Sequence, residues 1–199
     1  MNYEIDINSI QEYNNRNQIF DGSKTALIVI EMQETFRSDM GLMSDKQIDN
    51  VKSLISFAND NKMPIIFVRH NDSSENSQNM INWWGDKLEK GSSGWEIIPE
   101  FDTSNYEVID KSQYSAFYDT NLDKILQEKL INNVIICGLM TNCCCETAAR
   151  DAFMRGYNVI FVNDATATIN ADLHLSAIKN ISFGFGSVIN TQDINVRFT

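Results

Sequence analysis

The chain has 199 residues, 43% of them hydrophobic and 22% charged, and its 16 Lys and Arg against 27 Asp and Glu give a formal net charge of −11. These proportions are typical of a soluble globular protein and exclude a fibrous repeat or wholesale disorder. The length suits one α/β domain, and the negative charge argues against nucleic-acid and membrane partners, since the sequence has no local basic patch.

Short β-branched runs alternate with segments of helical period, which predicts βαβ units around a parallel sheet. Strands are predicted at residues 25–30, 65–68, 106–109, 133–137, 158–162 and 187–189, and helices at 45–61, 122–130, 144–155 and 174–183. We therefore expect a single domain over residues 1–199, with residues 1–23 as an N-terminal extension. Its predicted fold class is a three-layer α/β/α sandwich with a six-stranded, mostly parallel, Rossmann-like sheet.

The connection at residues 71–100 does not fit this alternation, and it contains Trp83, Trp84 and Trp95, which are all the tryptophans of the chain. Long connections in compact domains are often lids or binding loops. The alternative is that these aromatic residues anchor the excursion to the core or to a partner subunit. We expect the wall of the substrate-binding pocket to include Phe36, Trp83, Trp84 and Tyr114. For Tyr114 a purely structural role is the alternative.

Three chemically useful side chains follow predicted strands. Glu31 follows the first strand, Lys111 the third and Cys144 the fourth. Ligands of an open parallel sheet bind beyond the carboxyl ends of its strands, so these side chains are expected at one edge. Together they suit nucleophilic catalysis, with the carboxylate as base, the thiol as nucleophile and the lysine stabilising negative charge.

The consecutive residues Cys143, Cys144 and Cys145 do not resemble a spaced disulfide framework or a CxxC metal pair. A reduced thiol indicates a reducing compartment, and since the start of the chain has no apolar leader, we expect a cytoplasmic protein. At the start of a helix and near a lysine, Cys144 is expected to have a lowered pKa, and the N–H groups there suit an oxyanion. The alternative is that all three cysteines are small buried apolar residues.

The segment 137–152, CGLMTNCCCETAARDA, resembles the nucleophile motif of the isochorismatase-like cysteine hydrolases. Three further blocks resemble this superfamily: residues 25–33 with Phe36, residues 111–117, and residues 163–167 followed by His174. The resemblance covers roughly residues 24 to 190 in order.

The resemblance implies a catalytic triad of Cys144, Lys111 and Glu31. It also implies a cis peptide bond between Leu139 and Met140, with the N–H groups of Met140 and Cys144 forming the oxyanion hole. One residue departs from the family pattern, because Glu31 stands where the family normally has Asp. We expect activity to be retained, since the cysteine and lysine blocks are intact.

No metal and no cofactor are expected. Nicotinamidases of the superfamily carry an Asp and histidines that bind a metal, whereas His70 and His174 are the only histidines of this chain. This disfavours nicotinamidase activity, and we interpret His70 as a hydrogen-bonding residue at a strand end. Isochorismatases that cleave a vinyl ether generally lack the cysteine.

The predicted function is cysteine-dependent hydrolysis of a small amide-like C–N bond through a thioester intermediate. Two alternatives remain at this point: vinyl-ether hydrolysis with Glu31 as the acid, and a non-catalytic binding module whose site has decayed. The expected partner is a small-molecule substrate, and the chain is expected to form a homo-oligomer, either a dimer or a tetramer.

Overall fold

The computed structural model describes residues 6–10, 12–13 and 18–198, so residues 1–5, 11 and 14–17 of the expected N-terminal extension lie outside the described residues. The strands are β1 Thr25–Ile30, β2 Ile65–His70, β3 Glu107–Lys111, β4 Asn133–Leu139, β5 Asn158–Ala167 and β6 Gly186–Ile189. The α-helices are α1 Glu34–Ser38, α2 Asp45–Asp60, α3 Gln78–Trp84, α4 Leu122–Glu128, α5 Glu146–Met154 and α6 Ala171–Gly184. A π-helical turn at Thr141–Cys145 precedes α5.

The strands form one six-stranded sheet in the order β3-β2-β1-β4-β5-β6. Every neighbouring pair of strands is parallel. The chain leaves the centre of the sheet in opposite directions on either side of the β1–β4 pair, which is the point where ligands bind in folds of this kind. The predicted fold class is therefore confirmed.

Helices cover both faces of the sheet. Helices α4, α5 and α6 pack on one face, against residues such as Ile28 of β1. Helix α2 and the 3₁₀ segment Thr191–Arg197 pack on the other, against residues such as Val29. All six residues of β1 are consequently buried, as expected for a parallel strand covered on both faces.

Three local features differ from the sequence prediction. Strand β5 extends to Ala167 instead of ending at residue 162, after a register shift against β4 between Ile136 and Gly138. The helix predicted at 144–155 begins instead as the π-helical turn. Helices α1 and α3 were not predicted, because α1 buries no residue and α3 buries only Met80, so neither shows the apolar spacing that predicted α4, which has the same length as α3.

The excursion at 71–100 contains α3 and two 3₁₀ turns, and one of its tryptophans is an anchor. Trp95 is 8% exposed, and the Arg69 guanidinium carbon lies 3.4 Å from its ring centroid. The backbone of this part also bonds to the segment after β1, since the Ile98 N–H donates to the Met32 carbonyl at 3.0 Å. Trp95 therefore anchors the excursion to the rest of the domain, as the alternative interpretation of the tryptophans predicts.

Among the described helices, none has the combination of length and apolar character that crossing a membrane requires. The expected domain boundaries, cytoplasmic location and homo-oligomeric state stay predictions.

Candidate active site

Glu31 is the residue that follows β1, and its backbone turns the side chain into the sheet edge. Its φ angle is +52°, in the left-handed region that few non-glycine residues adopt. Its N–H donates to the Val68 carbonyl at 2.7 Å, so the residue is also held by β2. Strained backbone of this kind is found most often at functional sites.

Lys111 ends β3, and its ammonium group is fully buried. It donates to the Glu31 carboxylate, to the Gln113 carbonyl at 2.8 Å and to Cys144 Sγ, which lies 3.4 Å from Nζ. The structure thus brings together the three side chains predicted as the triad. Each of them is at least 96% buried.

Gly138, near the end of β4, lies close against the backbone of β1. Gly138 has a φ of +114°, and a Cβ there would lie 1.9 Å from the Ile30 carbonyl oxygen. Only glycine allows β4 to approach β1 this closely. The peptide bond between Leu139 and Met140 is cis, as predicted.

The Met140 backbone organises the turn after this bond. Its carbonyl accepts from the N–H groups of Cys143 and Cys145, both at 3.1 Å. Within the described residues, no hydrogen bond from the Met140 N–H is found. The oxyanion role of that N–H stays a prediction of the resemblance.

The expectation of a lowered pKa for Cys144 is wrong. Burial raises the pKa of the thiol well above its usual value, and the negative charge of Glu31 adds to this, while Lys111 opposes it. The helix start and the lysine are present as expected, but burial outweighs them. Burial also opposes a charged Lys111, yet Cys144 and Glu31 outweigh it and raise the pKa of the ammonium.

For the other three cysteines, the described residues show no hydrogen bond from Lys111 like the one to Cys144. All four are free thiols. Burial raises the pKa of Cys143 to about 11 and raises those of Cys137 and Cys145 as well. Cys137 and Cys145 are fully buried in the core, as the packing alternative predicts for them.

The four residues expected in the substrate-binding wall are only partly brought together. The Trp84 indole N–H donates to the Tyr114 hydroxyl at 3.1 Å, and the pKa of Tyr114 is raised by burial and by its nearness to the site, including Cys144. Phe36 packs against the apolar cluster that contains Met140. Trp83 is 78% exposed and does not join them.

His70 is a hydrogen-bonding residue at the end of β2, as predicted. Its Nε2 lies 2.9 Å from Asp72 Oδ1, and the other oxygen of Asp72 accepts from the Leu88 N–H at 2.9 Å. In the described part of the chain, no group of three or more His, Cys, Asp or Glu side chains is placed to hold a metal ion. No step of the mechanism below uses one.

Sequence reasoning missed two glutamines that support the site. Gln33 is fully buried, and its amide nitrogen donates to the carbonyls of His70 and Trp95, both at 2.9 Å. Gln113 supplies the carbonyl for Lys111 and also donates from its side chain to Asn79 Oδ1 at 2.7 Å, on α3. Their only sequence signal was their place inside the blocks that carry Glu31 and Lys111.

A polar cleft of about 930 Å³ lies beside the other flank of the nucleophile turn. Its lining includes Gln47, Asn50, Asn163 and His174, but none of the triad side chains. From this cleft Gln47 reaches the end of β4, since its amide donates to the Gly138 carbonyl at 3.3 Å. Of the lining residues, His174 contacts the turn, through Thr141.

A family model described as the Isochorismatase domain matches residues 25–193. Nicotinamidase 3 of Arabidopsis thaliana is 37% identical over 191 residues, which are 94% of this chain and 94% of that protein.

Solved structures also match. A cysteine hydrolase from Pseudomonas syringae pv. phaseolicola 1448A superposes with a TM-score of 0.83 at 26% identity, over 89% of this chain and 93% of that one. N-carbamoylsarcosine amidase from Thermoplasma acidophilum has a TM-score of 0.71 at 28% identity, over 84% of this chain and 96% of that one.

Proposed function

Because the chain belongs to the isochorismatase family of hydrolases, we propose that it hydrolyses the C–N bond of a small amide with Cys144 as the nucleophile. One observation carries the proposal: the Cys144 sulfur lies 3.4 Å from a buried ammonium group that is also bonded to a buried carboxylate. Two relatives named as an amidase and a nicotinamidase support the C–N bond as the target.

The raised pKa of Cys144 means that the thiol holds its proton until substrate binds. Glu31 accepts that proton as the sulfur attacks the substrate carbonyl carbon, which forms a C–S bond. The carbonyl oxygen becomes an oxyanion, held by the N–H groups of Met140 and Cys144. Lys111 stabilises the negative charge that moves between sulfur, carboxylate and oxyanion.

The second half of the reaction returns the enzyme to its starting state. Glu31 gives its proton to the leaving nitrogen as the C–N bond breaks, which releases ammonia or an amine and leaves a thioester on Cys144. Water then attacks the thioester carbonyl, with Glu31 taking one of its protons. The C–S bond breaks, the acid product leaves, and the thiol recovers its proton.

The substrate-binding residues in this proposal are Phe36, Trp84 and Tyr114. Trp84 donates to the Tyr114 hydroxyl oxygen, which leaves the hydroxyl hydrogen able to donate to a polar atom of the substrate. An aromatic wall with one polar group suits a small, flat amide. Nicotinamide is the first compound to test, because the relative named nicotinamidase is 37% identical, although the histidine count of the sequence disfavoured this activity.

The test measures ammonia release from nicotinamide and N-carbamoylsarcosine, and pyruvate release from isochorismate. We expect turnover of an amide that Cys144→Ala abolishes and that the matched variant Cys143→Ala retains. Intact-mass spectra after rapid quenching should show an acyl group on the wild-type chain and none on Cys144→Ala.

Two results would contradict the proposal. Isochorismate turnover that survives Cys144→Ala would establish the vinyl-ether reaction with Glu31 as the acid. If the wild-type chain releases nothing from any of the three compounds and forms no acyl adduct, the decayed binding module becomes the better interpretation.

A further inference from the structure

A buried line of hydrogen bonds joins the nucleophile turn to α6 and β5, and the mechanism above does not use it. Thr141, the first residue of the turn, has its Oγ1 2.9 Å from His174 Nδ1. His174 Nε2 lies 2.8 Å from Asn163 Oδ1. The exposed fractions of Thr141, His174 and Asn163 are 0%, 2% and 4%.

The direction of each bond in this line follows from the orientation of the Asn163 amide toward Asn190. The Asn163 side-chain nitrogen donates to Asn190 Oδ1 at 2.9 Å, so the Asn163 oxygen faces His174. A carbonyl oxygen only accepts, so the hydrogen of the imidazole is on Nε2. Nδ1 is then an acceptor, and the Thr141 hydroxyl donates to it.

We propose that His174 is a positioning residue, whose neutral imidazole accepts the Thr141 hydroxyl bond and thereby holds the turn that presents the Met140 and Cys144 N–H groups. The inference rests on the proposed function for the role of those two groups. Thr141 directly follows Met140, so a rotation of its backbone turns the peptide plane next to the oxyanion donor.

Other features of the site agree with this role. Thr168, just beyond the end of β5, donates from its hydroxyl to Asn142 Oδ1 at 2.6 Å. Two successive residues of the turn, Thr141 and Asn142, are therefore held by side-chain hydrogen bonds. Burial lowers the pKa of His174 to about 4, so the imidazole stays neutral near neutral pH and Nδ1 remains an acceptor.

Two substitutions at His174 separate its two bonds. In His174→Asn the amide oxygen occupies the place of Nδ1 and still accepts from Thr141. In His174→Gln the amide nitrogen occupies the place of Nε2, so the bond to Asn163 survives and the bond to Thr141 is lost. Thr141→Val removes the same bond from its other end with little change in volume.

The kinetic test uses whichever of nicotinamide and N-carbamoylsarcosine the wild-type chain hydrolyses faster. A misplacement of about 1 Å can cost about 10²-fold in rate, so we expect kcat to fall by about 10- to 100-fold in His174→Gln and Thr141→Val with KM unchanged. The double variant should lose no more than either single variant. His174→Asn should recover most of kcat, and Ser182→Ala, which removes a different buried hydroxyl of α6, should leave kcat unchanged.

A second measurement does not depend on activity. In amide ¹H–¹⁵N spectra of the full chain, the Met140 and Cys144 resonances should move in His174→Gln and Thr141→Val and stay in place in Ser182→Ala. Long-range imidazole spectra of the wild-type chain should show the Nε2–H tautomer of His174.

The outcomes are distinct for the two proposals. A wild-type chain that hydrolyses neither amide counts against the proposed function alone, and the spectra then decide the role of His174. An Nδ1–H tautomer, unmoved resonances, or equal kcat for His174→Asn and His174→Gln would overturn the positioning role.

Discussion

Lowering the pH should destabilise this protein in part through His174, and the amount follows from its burial. The pKa of the imidazole is lowered from 6.5 to about 4 in the folded chain. Between these values the unfolded chain binds a proton that the folded chain does not, so the free energy of unfolding falls as the pH falls. Well above pH 6.5 both states are neutral at this residue and the effect disappears.

From pH 7 to pH 4.5, the two pKa values give a loss of about 2 kcal/mol of stability through this one residue. The neighbours that hold His174 are the uncharged Thr141 and Asn163. The charged residues of the adjoining cleft are Lys46 and Asp164. Carboxylates elsewhere also contribute to acid unfolding, so the effect of His174 must be measured as a difference between two chains.

The assay is urea unfolding followed by tryptophan fluorescence at pH 7, 5.5 and 4.5, for the wild-type chain and for His174→Asn, which does not titrate. The difference in unfolding free energy between the two chains should shift by about 2 kcal/mol over this range in favour of the variant. Ser182→Ala should keep the wild-type dependence. A difference that stays constant with pH would show that His174 is protonated in the folded chain or exposed, and would refute the reasoning.

Three further predictions concern the triad, the turn and the wall. Glu31→Gln should lower kcat by at least about 10²-fold. It should also destabilise the fold by about 3 kcal/mol, because Lys111 keeps a buried charge without its partner. The double variant with Lys111→Met should recover the melting temperature but not the activity. Gly138→Ala should cost more than about 4 kcal/mol, since its Cβ meets the backbone of β1, and the yield of folded chain by circular dichroism checks this. Trp84→Ala should raise KM for the amide substrate, whereas Trp83→Ala should leave KM unchanged, and initial-rate kinetics separate the two.

The central elements were predictable because burial leaves a periodic pattern in the sequence. The buried run of β1 and the apolar spacing of α2 gave both elements within a residue or two of their observed bounds. The extension of β5 was not predictable, because it follows a register shift that depends on the neighbouring strand. The turn at Thr141–Cys145 was expected as ordinary helix, since periodicity does not separate a π-helical turn from an α-helical one.

The sequence predicted which residues form the site better than it predicted their pKa values. Strand ends and motif resemblance pointed to Glu31, Lys111 and Cys144, which the structure brings into contact. The pKa of Cys144 was predicted in the wrong direction, because the extent of burial at a sheet edge is set by residues distant in sequence. For the same reason no local pattern identified Gln33, whose side-chain amide donates hydrogen bonds to residues 37 and 62 positions away in the sequence.

The buried pair of Glu31 and Lys111 also constrains how the strands align during folding. In the native register His70 of β2 pairs with Lys111 of β3. A slip of β3 by one residue exchanges its two faces, so the position of Lys111 would pass to Asp110 or Ser112. With Ser112 in that position, the Glu31 carboxylate is buried without a cation. With Asp110 there, a second carboxylate lies against it. The groups that we assign to catalysis therefore also disfavour misaligned sheets, so selection for activity and selection for correct strand pairing act on the same two residues.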